Sequence, residues 1–301
     1  MNRIKRKSTV NGQSGRRIRT CTRWSMRMLC LLCGCCLLLG GCSKDKPVLK
    51  ASDLADLNEL SLSEILQTVA LKTSEANPQG FVVSSIYRWP GAEQQVRVLL
   101  LSGNPFFEVK AMTSIEGGGF DWMNMLMIKD GKQKNINLSK LDNQWTAGAV
   151  FKRDPIYESQ SQAAAISLLQ IISAQSYKIF ERYPDDLAIE KSESEDGYVV
   201  RWHVADEDAL AQKLSKDPLL QKAGNTLGTR FEESLRFSKD GVLQSALYSN
   251  ASSEMATMDV EISVHGVDDS RYRPYLDDLF SQDLQDGSEC DVSWLADNLP
   301  E

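Results

Sequence analysis

Apolar positions along this chain recur first at helical spacing, then in alternation, and the two regimes trade places twice. Ile65, Leu66, Val69 and Ala70 share one helix face. Ser61 and Glu64 ahead of them have capping-box spacing, Leu60 and Ile65 suit a hydrophobic staple, and Asn77-Pro78 ends the run. From Gly80 to about Val150 the residues are β-branched, aromatic and aliphatic, over Phe81–Trp89, Gln94–Leu101, Phe106–Ile115 and Phe120–Lys129. Pro90-Gly91, Gly103-Asn104-Pro105 and Gly117-Gly118-Gly119 punctuate them. Lys129-Asp130-Gly131-Lys132 predicts a tight hairpin, because Asp-Gly suits a turn whose two central residues have positive φ. Lys132–Leu138 then returns, and Gln144-Trp145 opens another strand.

A long helix is expected from Asp154-Pro155, through Ile166, Leu169 and Ile172, to Tyr183-Pro184. Leu187–Glu190 and Tyr198–Val204 read as a hairpin, and a second helix runs from about Asp206 to Leu220. Arg230–Phe237, Val242–Ser249 and Met255–Val264 are strands, the first two joined by Lys239-Asp240-Gly241, a second copy of the hairpin signal. Strands massed in runs with helices between them predict an α+β protein with one large antiparallel sheet.

One strand is apolar on both faces. Trp122, Leu126 and Ile128 point one way and Met123, Met125 and Met127 the other, so both faces need a cover. Two readings are open. In one, the methionine face lines a ligand cavity, where flexible thioethers suit a ligand of variable shape. Val98, Leu100, Phe107 and Val109 are then candidates to extend the lining. In the other, the methionines fill gaps against helices or neighbouring strands.

The N-terminus changes the picture most. Arg23 and Arg27 lead into an apolar run, Met28–Leu39, that closes with Gly40-Gly41-Cys42. Basic, apolar and small residues in that order mark an export signal. The run ends by Gly41, well short of the roughly 20 apolar residues a bilayer-crossing helix needs. A cysteine at the cut resembles the lipobox of bacterial lipoproteins. That resemblance implies a diacylglyceryl group on the Cys42 thiol, cleavage before it, and a lipid-anchored protein on the extracytoplasmic face of the cell membrane. Residues 1–41 are then the signal and 42–56 the lipidated cysteine with a flexible tether. The domain spans 57–267, and 268–301 form an acidic tail.

Removing residues 1–41 takes away nine of the 34 basic residues and none of the 41 acids, so the remainder carries a net charge of −16. Such a chain is repelled by nucleic-acid phosphates and anionic headgroups, so nucleic acid is not an expected partner and membrane contact should run through acyl chains. Beyond Val267 ten acids stand against Arg271 and Arg273, which predicts a solvated tail, although Tyr275, Leu276, Leu279 and Phe280 are spaced for one docked amphipathic turn. Cys290, the one cysteine beyond Cys42, is expected there as an exposed bystander whose thiol pKa its acidic neighbours raise.

Beyond the lipobox, the single N-terminal helix, the strands holding Met127-Ile128-Lys129-Asp130-Gly131-Lys132, and Asn143-Gln144-Trp145 resemble the LolA-, LppX- and LprG-type lipoprotein fold over about Leu60 to Val267. The nearest likeness is to uncharacterised Gram-positive lipoproteins of that superfamily. The resemblance implies a curved, incomplete barrel with helices on its concave side and an apolar cavity able to hold a lipid or acyl chain.

Catalytic chemistry finds little support. His203 and His265 are the two histidines, each at a strand position expected to face solvent. No HExxH, GxSxG or phosphate-loop motif occurs, and no CxxC occurs beyond Cys42. Asp283, Asp286, Glu289 and Asp291 lack the spacing that wraps oxygens around Ca²⁺, so no metal or cofactor is expected. The leading expectation is non-catalytic binding of a hydrophobic ligand. The alternative is a protein-interaction or structural module of the envelope without an internal ligand.

Overall fold

The computed structural model describes residues 48–113, 119–157, 160–173, 182–217, 231–250 and 258–300. Cys42 and the apolar run before it lie outside the described residues. Eleven strands form one antiparallel sheet: β1 (Gly80–Trp89), β2 (Ala92–Leu101), β3 (Phe106–Thr113), β4 (Phe120–Lys129), β5 (Lys132–Leu141), β6 (Gln144–Arg153), β7 (Leu187–Ser194), β8 (Gly197–Val204), β9 (Phe231–Phe237), β10 (Leu243–Asn250) and β11 (Met258–Gly266). Their order is β6-β5-β4-β3-β2-β1-β11-β10-β9-β8-β7, so β1 joins the two meanders by pairing with β11, and the sheet does not close. Among the described residues five α-helices accompany it: α1 (Leu62–Ala76), α2 (Ala163–Ile172), α3 (Glu207–Lys216), α4 (Arg273–Ser281) and α5 (Ser293–Asn298). The fold class is the expected α+β one.

Local signals explain most boundaries. The Ser61 hydroxyl accepts from Glu64 N while the Glu64 carboxylate accepts from Ser61 N at 2.8 Å, completing the capping box of α1. Asp130 and Gly131 take φ of 48° and 73°, as the β4–β5 hairpin requires. The second Asp-Gly copy behaves differently. Only Gly241 has positive φ there, and the register slips between Leu243 and Ser245, so this turn carries a bulge. The long helix expected from Asp154 begins instead at Ala163. Ile156 N donates to Gln133 Oε1, and the buried Tyr157 ring meets Phe106 edge-on at 6.1 Å, so packing on β3 and β5 holds these residues out of the helix.

Register assigns each side chain to a face, since paired residues share one. Phe81, Val98, Leu100, Glu108 and Leu126 lie on the face that carries α1 and α2. The Glu108 carboxylate accepts from Ser167 of α2 at 2.6 Å, and Thr73 of α1 accepts from Leu243 N at the start of β10. Leu99, Val109, Met125 and Ile136 lie on the opposite, outer face.

Over β2–β6 that outer face is covered by the C-terminal segment, which overturns the expected solvated tail. Leu276, Leu279, Phe280, Leu284, Val292, Leu295 and Leu299 are buried in one cluster with Met123, Met125, Phe107 and Trp145. Each such side chain contributes about 1.5–3 kcal/mol on burial. Asp277, Asp278, Asp283, Asp286, Glu289, Asp291 and Asp297 stay in water. The acids are therefore the solvent side of an amphipathic cover. Polar anchors fix it: Arg273 donates to Ser102 O and Pro105 O at 2.7 and 2.8 Å, Arg97 to Leu299 O at 3.0 Å, and Lys134 to Phe280 O at 3.1 Å. Gly287 N, Cys290 N and Ala147 N bond along the start of β6, which covers that part of the sheet edge.

The expected tether is also partly docked. Leu49, Leu54 and Leu57 are buried, Leu49 exchanges two hydrogen bonds with the Gln162 amide, and Ser52 N donates to Thr68 of α1. Burying three leucines fixes the segment from Leu49 onward, although its composition between them is polar.

Candidate functional site

The outer face divides sharply. Over β7–β11 the positions equivalent to the methionines hold Glu190, Arg201, His203, Glu232, Arg236 and Glu261, all exposed, and Leu247 beside them is 53% exposed. Here a groove of about 290 Å³ crosses β9, β10, β11 and the end of β1. Leu247 sits opposite Ser234 on one side and Glu261 on the other, and Arg88, Glu232, Glu233, Tyr248, Asp259 and Val260 also line the groove. Arg88 donates to Glu93 and Glu261 at 3.0 Å each, and those partners raise the guanidinium pKa. Ser249 donates to Asp259 at 2.7 Å. The groove thus sets an exposed leucine among carboxylates, with its one arginine already engaged.

On the helical face, a recess of about 30 Å³ lies between α2 and the sheet, lined by Tyr87, Ile172, Trp202, Tyr248, Val260 and Ile262. It has room for about one water molecule. The buried Glu233 carboxyl shares its wall.

The five proposed lining residues do not converge. Met123 and Met125 are fully buried and Met127 partly so, all on the outer face against the C-terminal cover, with Phe107 and Val109 beside them. Val98 and Leu100 are buried on the helical face, because alternation in β2 sends Leu99 and Leu101 to the methionines instead. What fills the space over the methionines is the chain's own C-terminal segment.

Cys290 is buried, not exposed: its backbone pairs with Trp145, which turns the thiol into the core. Burial raises its pKa, with Asp291 adding to the effect. Tyr275, whose hydroxyl donates to Asp291 O at 2.5 Å, is also pushed up by burial. Asp286 accepts from Val150 N at 2.8 Å, the contact of a structural anchor. His203 faces solvent opposite Glu232 on β9, and His265 faces solvent at the far end of β11, so the two histidines are not brought together. Among the described residues no helix is long and apolar enough to cross a membrane.

No family model and no curated protein matches this chain. Several solved structures show weak likeness, two of them as follows. A β-barrel-like protein with a domain of unknown function from Brucella abortus is 10% identical, with 63% of this chain and 97% of that chain covered and a TM-score of 0.22. MucB in complex with MucA(peri) is 8% identical, with 65% and 93% covered and a TM-score of 0.14. Likeness at this level says nothing of function.

The groove was not among the expected site residues. Its signal was Leu247 in Leu243–Ser249, an apolar residue at a position where its cross-strand neighbours are polar.

Proposed function

We propose that this chain is a lipid-anchored, non-catalytic module on the extracytoplasmic face of the cell membrane, and that it docks a protein partner on the bare half of its sheet. The observation that carries the reading is the groove over β9–β11 with the exposed Leu247 in its lining. A single exposed leucine is ordinary on a protein surface. A leucine that lines a groove together with Glu232, Asp259 and Glu261 offers both apolar area and a charge pattern to select against wrong partners. Lipidation at Cys42 supplies the membrane attachment in this reading.

Carriage of a lipid or acyl chain is the second reading, and kinship with the LolA-, LppX- and LprG-type lipoproteins belongs with it. The aromatic and aliphatic lining of the recess under α2 favours it. A space of about 30 Å³ would have to open along α2 before an acyl chain could enter.

Native mass spectrometry of residues 43–301, followed by organic extraction, separates the two. The docking reading expects the bare polypeptide mass. A co-purifying species with the mass of a lipid would replace it with the carrier reading.

A further inference from the structure

Lysines crowd one corner of an otherwise acidic chain. Lys129 and Lys132 face each other across the β4–β5 turn, and Lys134 and Lys152 face each other between β5 and β6. Like charges directly opposite on paired strands are destabilising. Burial pushes the Lys134 ammonium pKa down, and Lys152 opposite it pushes the same way. Lys129, Lys132, Lys152 and the adjoining Arg153 are exposed, and no ion pair among the described residues engages them. Asp130 and Asp154 flank the corner in sequence, and Asp283 and Asp286 approach it from the C-terminal segment; Asp130 already accepts from Asn104, Asp283 acts on Lys134, and Asp286 accepts from Val150 N.

The same corner receives the N-terminal segment. Leu49 is held by Gln162, and Gln160, two residues before it, donates to Ile128 O beside Lys129. Seven peptide steps separate Cys42 from Leu49. Covalent geometry limits that path to about 25 Å.

We infer that this basic corner, the β4–β5 turn with the end of β6, rests on anionic lipid headgroups. The inference builds on the lipid-anchored reading above, because a short leash at Cys42 holds this corner, and not the groove end of the sheet, next to the bilayer. Screening makes the arrangement compatible with a net charge of −16. At physiological salt, charges beyond about 8 Å contribute little, so the headgroups sense the corner's own basic and acidic groups and not the acids elsewhere on the chain. The inference adds an oriented electrostatic footing to the expected contact through acyl chains.

The test uses the mature chain from Cys42, unacylated, with vesicles of phosphatidylcholine alone or with one-third phosphatidylglycerol. Binding is expected to the anionic vesicles only, lost in high salt. K129Q/K132Q/K152Q should weaken it about a hundredfold, at about fivefold per headgroup-facing lysine. The control R201Q/R236Q, on the bare outer face, should leave it unchanged. A second arm couples Cys42 to a maleimide lipid and follows hydrogen exchange at residues 128–134. Protection that needs phosphatidylglycerol supports the inference. No protection when tethered, or equal binding by the triple variant, overturns it. Neither arm depends on acylation in the cell, which the mass of Cys42 peptides from native membranes tests separately.

Discussion

Two halves of one sheet face meet opposite fates. On β3–β5 the outward residues are Val109, Met123, Met125, Ile136 and Leu138, and a segment more than a hundred residues downstream folds back to cover them. On β8–β11 the outward residues are Arg201, His203, Glu232, Arg236 and Glu261, and they face water around Leu247. The backbone is the same antiparallel ladder in both. Side-chain polarity at every second position decides which half becomes core and which is left available for contact.

The comparison breaks hardest if the cover is removed. Deleting residues 268–301 should leave Phe107, Met123, Met125 and Trp145 facing water, and the chain should aggregate or bind a hydrophobic dye instead of unfolding cooperatively. An unchanged thermal midpoint would show that the segment is a passenger. Point changes sharpen the same contrast. Leu276→Ala, within the cover, should cost about 2–5 kcal/mol in urea unfolding. Leu247→Ala, in the bare half, should stay within about 0.5 kcal/mol.

A smaller effect is expected with pH. Burial raises the pKa of Cys290 and of Tyr275 in the folded chain. The folded state therefore holds protons that the unfolded state releases, and stability falls as pH rises above about 8.5, where an unfolded thiol titrates. Cys290→Ala with Tyr275→Phe should flatten that alkaline decline of the urea midpoint. A decline of the same slope in the double variant would assign it elsewhere.

Most of the element order was legible from periodicity and turn chemistry: the capping box at Ser61, the Asp130-Gly131 hairpin and both meanders are where the pattern put them. The C-terminal cover was harder to read. Its Leu276–Leu279–Phe280 spacing was visible, but ten acids in 34 residues suggested solvation. Net charge counts residues without regard to which side of a helix they occupy. The N-terminal segment misled for a related reason, since Leu49, Leu54 and Leu57 are spread among polar neighbours and only the folded surface shows a place for each. Facing also failed at Val98 and Leu100. Nothing in a single strand tells which side a distant segment will cover, and the register that separates them from Met123 and Met125 is a property of paired strands. The groove needed the same long-range pairing, since it brings Leu247 between Ser234 and Glu261.

The most direct test of the account is photo-cross-linking in intact cells from a photoreactive residue placed at Leu247, with a second probe at Ser192 on the same face outside the groove. The account predicts one defined protein adduct from position 247, absent from position 192 and lost when Glu232 and Glu261 are changed to Lys. Equal labelling from both positions, or none from 247 while the protein is correctly localised, would contradict the claim that the bare half of the sheet is the working surface.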